Sequence, residues 1–233
     1  MTAVLDVAGI TSGYGGSVVI RDVSLAVASG EILALVGKNG MGKTSLLKAI
    51  LGFLPAWHGS VSLQGRNVTG LAPFRKRRLG IAHVPQEQAL FQDLTVRENL
   101  RLGLLQDRGF DARLAEIAEW FPILAARLQQ RAGTLSGGEQ KMLIVARGLM
   151  ADPAVLLLDE VTEGLQPSVV DRLGEVLKTV QRQRRTAMLI VEQHIPFVLD
   201  LADRFAVLKG GEIVDTGKVA AGAATQIEDH MVL

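Results

Sequence analysis

The chain has 233 residues, enough for one large domain or two small lobes around a buried core. Hydrophobic residues make up 48% and charged residues 21%, an ordinary globular balance, and a net charge of +1 gives no strong field for nucleic acid. The absence of cysteine excludes a disulfide framework and a thiolate metal site, and fits a reducing cytosol. Residues 1–10 show no basic stretch ahead of an apolar core, and no apolar run approaches the roughly 20 residues of a bilayer span. Neither a secretory leader nor a membrane span is expected.

In chain order, residues 4–10 read as a strand that Gly13, Gly15 and Gly16 break. Residues 18–27 alternate apolar and polar side chains and form a second strand region. Residues 31–36 are a short buried strand that runs through a glycine-rich turn into a helix over about 42–51. Further strands are expected over 60–63 and 79–84. Residues 93–120 are mostly helical in pattern, with breaks near Gly103 and Gly109. A helix with one apolar face covers 139–150, a buried strand 155–158, a helix 168–184 and another buried strand 187–191. Residues 205–208 and 212–215 flank Gly210-Gly211, a hairpin signal. Buried strands alternating with helices predict a mostly parallel α/β sheet, with the early strands and the last hairpin as an antiparallel part. There is no internal repeat and no low-complexity tract.

The turn after the third strand, Gly37-Lys38-Asn39-Gly40-Met41-Gly42-Lys43-Thr44, fits G-x-x-x-x-G-K-[ST] between a buried strand and a helix. Gly37, Gly40 and Gly42 let backbone N–H groups turn inward around phosphate oxygens, and the helix N-terminus adds favourable partial charge. Asn39 and Ser45 complete the nucleotide-binding stretch. Lys43 is placed to reach the β- and γ-phosphates, and Thr44 offers a hydroxyl to Mg²⁺. Farther on, an apolar strand ends in Asp159-Glu160. In a phosphate-loop protein the first acid serves Mg²⁺ and the second polarises the attacking water.

Leu135-Ser136-Gly137-Gly138-Glu139-Gln140 stands just before a helix. With this string in place, the whole chain resembles the ATP-binding subunit of ABC transporters, whose signature is LSGGQ or a close variant. The resemblance implies one α/β nucleotide-binding domain over 1–233, a phosphate-loop NTPase of the ABC ATPase fold, with a helical subdomain over about 87–135. It implies that ATP lies between the phosphate loop of one subunit and Ser136, Gly137 and Gly138 of its partner, at a helix N-terminus that offers donors to the γ-phosphate. Tyr14, the only tyrosine, stands where the family stacks an aromatic ring on adenine. Gln86 matches the glutamine that touches Mg²⁺ or the attacking water. The family also places a histidine after a strand, ten residues before the aspartate of a Leu-Ala-Asp element. Counting back from Asp203 gives Gln193 and not the adjacent His194, so glutamine is expected at this switch position. A glutamine amide donates a hydrogen bond to phosphate but does not shuttle a proton.

In Glu163-Gly164-Leu165-Gln166-Pro167, Gln166 replaces the aspartate usual in the loop that links the two ATP sites. FPIL, RAGTLSGGEQ and VEQ resemble the LivF-type subunits of branched-chain amino acid importers, whereas TEGLQPS is similar to the related urea-importer subunit. The amino acid branch is favoured on RAGTLSGGEQ. The resemblance therefore implies an ATP hydrolase that uses ATP and Mg²⁺. It would work peripherally on the cytoplasmic face of the membrane, with two membrane-spanning permease subunits and a second ATPase subunit, identical or related. It would serve an external solute-binding protein indirectly, and no nucleic acid. The repair branch of the superfamily inserts a long coiled coil between Gln86 and the signature. Here about fifty residues separate Gln86 from Ser136, without sustained heptads.

Overall fold

The computed structural model describes residues 3–86 and 90–231. Two sheets build the frame. The larger has six strands: β3 (Ile32–Val36), β6 (Ile81–Val84), β7 (Val155–Asp159), β8 (Ala187–Glu192), β9 (Arg204–Lys209) and β10 (Glu212–Lys218). Their order is β10-β9-β3-β8-β7-β6, parallel throughout except for the β9–β10 hairpin. The smaller sheet is antiparallel and ordered β2-β1-β4-β5, from β1 (Ala3–Tyr14), β2 (Ser17–Ala28), β4 (His58–Leu63) and the two-residue β5 (Arg66–Asn67).

The near-continuous apolar runs of β3, β7 and β8 follow from burial on both faces. Successive side chains point to opposite sides of a strand. Thus Ile32, Ala34 and Val36 enter one core with Leu156, Leu158, Met188 and Ile190. Leu33 and Leu35 enter the other with Val155, Leu157, Leu189 and Val191. The second core lies between the two sheets and is filled by α1 (Lys43–Leu51) through Leu46, Leu47 and Ile50. The first core carries the longer helices, α6 (Gly137–Leu149) and α7 (Pro167–Arg184), and the helices between β6 and α6.

Those intervening helices are α3 (Val96–Arg101), α4 (Phe110–Trp120) and the short α5 (Pro122–Ala125). The break expected near Gly103 and Gly109 is real and separates α3 from α4. Thr95 starts α3 through a reciprocal capping box with Glu98. Buried Asn99 ties down the preceding loop by accepting from the Phe91 amide and donating to the Phe91 and Thr95 carbonyls. The apolar stripe of α4, Phe110, Leu114, Ile117 and Trp120, faces the core. Arg113 and Arg184 both pair with Glu116 and Asp152, which joins α4 to the end of α7.

Three differences from the sequence expectation have local causes. Strand β1 runs through Gly13, because Gly13 pairs with Val18 and a Cβ there would meet the Ser17 carbonyl oxygen at 1.9 Å. The turn itself is Gly15-Gly16, both at positive φ. Helix α2 (Pro73–Arg78) carries only one inward residue, Lys76, and so lacks an apolar stripe. Helix α9 (Ala223–Met231) buries only Ala223 and Ile227. The short α8 (Ile195–Leu201) follows β8. Residues 87–89, the start of the expected helical subdomain, lie outside the described residues.

Candidate nucleotide site

The site sits at the C-terminal ends of β3, β7 and β8, where the connections leave the larger sheet. The phosphate loop joins β3 to α1. Gly42 has φ 102°, and a Cβ there would meet Ile20 Cδ1 at 2.7 Å, so the turn admits no side chain. No side chain caps α1. Its first-turn amides lack intrahelical partners and stand ready for an anion. Lys43 is only 4% exposed. Its Nζ donates to the Gly37 carbonyl at 2.8 Å and the Lys38 carbonyl at 3.1 Å, and lies 3.1 Å from Glu160 Oε1. The loop is thus wrapped around its own cation. The Tyr14 hydroxyl lies 3.4 Å from Ser45 Oγ, and the ring remains 47% exposed, free to stack.

The Thr44 hydroxyl donates to Asp159 Oδ1 at 3.2 Å. Burial raises the Asp159 carboxyl above its ordinary range, with the Glu160 charge adding and the Thr44 bond opposing. One hydroxyl and one carboxylate beside a phosphate cradle fit Mg²⁺, which is held by few protein oxygens together with substrate phosphates. Among the described residues no group of three or more His, Cys, Asp or Glu is arranged to hold a metal.

Glu160 is the hub. Its backbone takes φ 45°, unusual for a residue with a side chain, and its N–H donates to the Val191 carbonyl at 2.9 Å. Three side chains from three different parts of the chain reach its carboxylate. They are Lys43, Gln86 through Nε2 at 3.0 Å, and Gln193 through Nε2 at 2.8 Å. Gln193 Nε2 also donates to Asn39 Oδ1 at 2.7 Å, which links it to the phosphate loop. His194 is exposed and starts α8. A cavity of about 620 Å³ opens beside Asn39, Glu160, Gln193 and His194.

Ser136, Gly137 and Gly138 do not join this cluster. Ser136 caps α6 in a reciprocal box with Glu139, and Arg127 holds Glu139 at 3.1 Å. Gly137 lines a separate cavity beside Gln86 and Glu163.

Sequence reasoning passed over three residues here. Glu163 accepts a 2.6 Å bond from Gln86 Nε2. Lys141, nearly buried on α6, donates to the Gln86 carbonyl at 2.9 Å. Glu192 is 2% exposed and bonds Thr162. The signal for Glu192 was the same as for Asp159, an acid closing an apolar strand.

This fold and this cluster define a phosphate-loop nucleotide hydrolase of the ABC type. The family model described as ABC transporter matches residues 20–163, and the chain belongs to that family as an ATP-binding, ATP-hydrolysing subunit. It is 41% identical over 212 residues to the high-affinity branched-chain amino acid transport ATP-binding protein BraG of Pseudomonas aeruginosa, covering 89% of this chain and 91% of that one. It is 34% identical over 210 residues to the probable branched-chain amino acid transport ATP-binding protein LivF of Archaeoglobus fulgidus, covering 89% of each. Among solved structures, an ABC transporter ATP-binding cassette in its ADP conformation shares the fold with a TM-score of 0.86 at 24% identity, over 98% of this chain and 99% of that one. Among the described residues no helix is long and apolar enough to cross a membrane.

Proposed function

We propose that this chain is the ATPase subunit of an importer for branched-chain amino acids. The reading rests on 41% identity, along nine tenths of both chains, to a branched-chain amino acid transport ATP-binding protein. Residues 1–233 act as one nucleotide-binding domain with a helical lobe over about 87–135. The chain works from the cytoplasmic face of the membrane, paired with a second, identical or related, ATPase subunit.

In this reading Tyr14 stacks on adenine, while the amides from Gly37 to Ser45 and the Lys43 ammonium bind phosphate. Thr44, Asp159 and Gln86 would hold Mg²⁺, which would supply positive charge to the phosphates. Glu160 orients water and accepts its proton, Gln193 donates to the γ-phosphate, and Ser136 to Gly138 complete the partner's site. Closure of the pair around ATP favours one orientation of the membrane subunits, and hydrolysis releases it. Phe53, Phe74 and Phe91 stand 62%, 58% and 57% exposed around a groove of about 410 Å³ between α2 and the start of the lobe. Three exposed rings on one groove mark a contact surface, and we assign it to a membrane subunit.

Titrating the solute-binding protein encoded beside this gene tests the substrate. Calorimetry should show tight binding of leucine, isoleucine and valine. Tight binding of urea alone would move the chain to the urea branch that TEGLQPS resembles. The switch assignment has its own test. Gln193→Ala should slow ATP turnover by about tenfold or more, as loss of a charge-assisted hydrogen bond does, with His194→Ala close to native. The reverse pattern would transfer the role to His194.

A further inference from the structure

Beyond the last β7–β8 pair, Asp159↔Val191, the backbone ladder between these strands ends. The side chain of Glu192 takes over. Its Oε1 accepts from the Thr162 amide at 3.0 Å, and its Oε2 accepts from the Thr162 hydroxyl at 3.0 Å and the Gln193 amide at 3.3 Å. A carboxylate 2% exposed is costly to keep without such donors. Burial raises its pKa, and the Thr162 bonds oppose that rise. The anchors are telling. Thr162 lies two residues after Glu160, and Gln193 follows Glu192 directly. With the Gln193–Glu160 bond at 2.8 Å, the contacts close a ring through Glu160, Thr162, Glu192 and Gln193.

We propose that Glu192 is a positioning residue for ATP hydrolysis: by clasping Thr162 and the Gln193 amide it sets the distance between Gln193 and Glu160. The inference rests on the roles proposed above for Glu160 and Gln193. Its bonds run to Thr162 and the Gln193 amide, so it acts through these neighbours. It also fixes the start of the loop from Thr162 to Gln166, where this chain has Glu163 and Gln166.

The test is steady-state ATP hydrolysis by the full chain with Mg²⁺, for Glu192→Ala, Glu192→Gln, Gln193→Ala and the Glu192→Ala/Gln193→Ala pair. Glu192→Ala should lower kcat by about tenfold with KM for ATP within about twofold of native, the pattern of a lost transition-state contact. Glu192→Gln keeps an acceptor for the Thr162 amide but none for the Gln193 amide, and should fall between native and Glu192→Ala in kcat. The pair should be no slower than Gln193→Ala alone, because both changes remove one coupled unit. Thr162→Val, which keeps the branched shape but removes the hydroxyl, covers the case in which Glu192→Ala does not fold. It should also lose kcat, and lose nothing further once Gln193 is alanine. Amide exchange at Thr162 should accelerate in Glu192→Ala. Native kcat in Glu192→Ala, or losses that multiply in the pair, would overturn the inference while leaving the Gln193 role intact. Native turnover in Gln193→Ala would remove that role, and the inference with it.

Discussion

Glu160→Gln is expected to bind ATP at least as tightly as the native chain while turning it over about 10²–10³-fold more slowly, within the range that general-base catalysis contributes. Both halves follow from the same contacts. The Lys43 ammonium lies 3.1 Å from Glu160, so part of its charge is spent on the carboxylate. A neutral amide releases Lys43 to phosphate and removes a negative charge that would repel it. The amide keeps one acceptor oxygen, which serves either Gln86 or Gln193, since the two reach different oxygens of the native carboxylate. It no longer takes a proton from water. Nucleotide-bound closed dimers should therefore accumulate, visible by size exclusion with ATP and Mg²⁺. Turnover within a few-fold of native would show that another group activates the water.

The legible parts of this molecule are those encoded within a short window. The phosphate loop is eight consecutive residues whose backbone demands, such as φ 102° at Gly42, leave glycine in the string itself. The capping box at Ser136 and Glu139 is likewise local. The buried strands were readable because residues such as Leu156 and Leu157 feed two different cores, which removes polar alternation from the sequence. The stretch counted from Asp203 back to Gln193 spans α8, and both of its ends are anchored. Asp203 Oδ2 accepts from the Ile32 amide at 2.8 Å and from Gln181 Nε2 at 2.7 Å, and Gln193 meets Glu160.

The illegible parts are pairings across the fold. Nothing near Lys141 indicates that its ammonium will meet the carbonyl of Gln86, 55 positions away. Nothing near Thr162 points to Glu192, 30 positions away. The left-handed backbone of Glu160 has no glycine to announce it, since the bond from its amide to Val191 supports that conformation. Gly13 misled for the opposite reason. It reads as a turn residue, yet it is required by a close backbone approach inside a hairpin.

Lys43→Met should cause the deepest loss of function. Removing a charged donor to phosphate costs about 1.5–3 kcal/mol of binding, roughly ten- to hundredfold in Kd for ATP. Losing the same charge in the transition state slows turnover by a further 10²–10³-fold or so. The change also acts on the stability of the fold. Glu160 is 5% exposed, and with Lys43 gone it keeps only the two glutamine amides and no cation among its bonded partners. An ion pair broken from one side leaves a buried charge uncompensated, so a stability loss of about 1–3 kcal/mol is expected. The two effects separate in the Lys43→Met/Glu160→Gln pair. Its melting temperature should return toward native because no unpaired charge remains, while ATP binding stays weak because no cation faces phosphate. If the pair melts as low as Lys43→Met alone, the ion pair is not what Lys43 contributes to the folded state, and its contacts with the Gly37 and Lys38 carbonyls carry that stability instead.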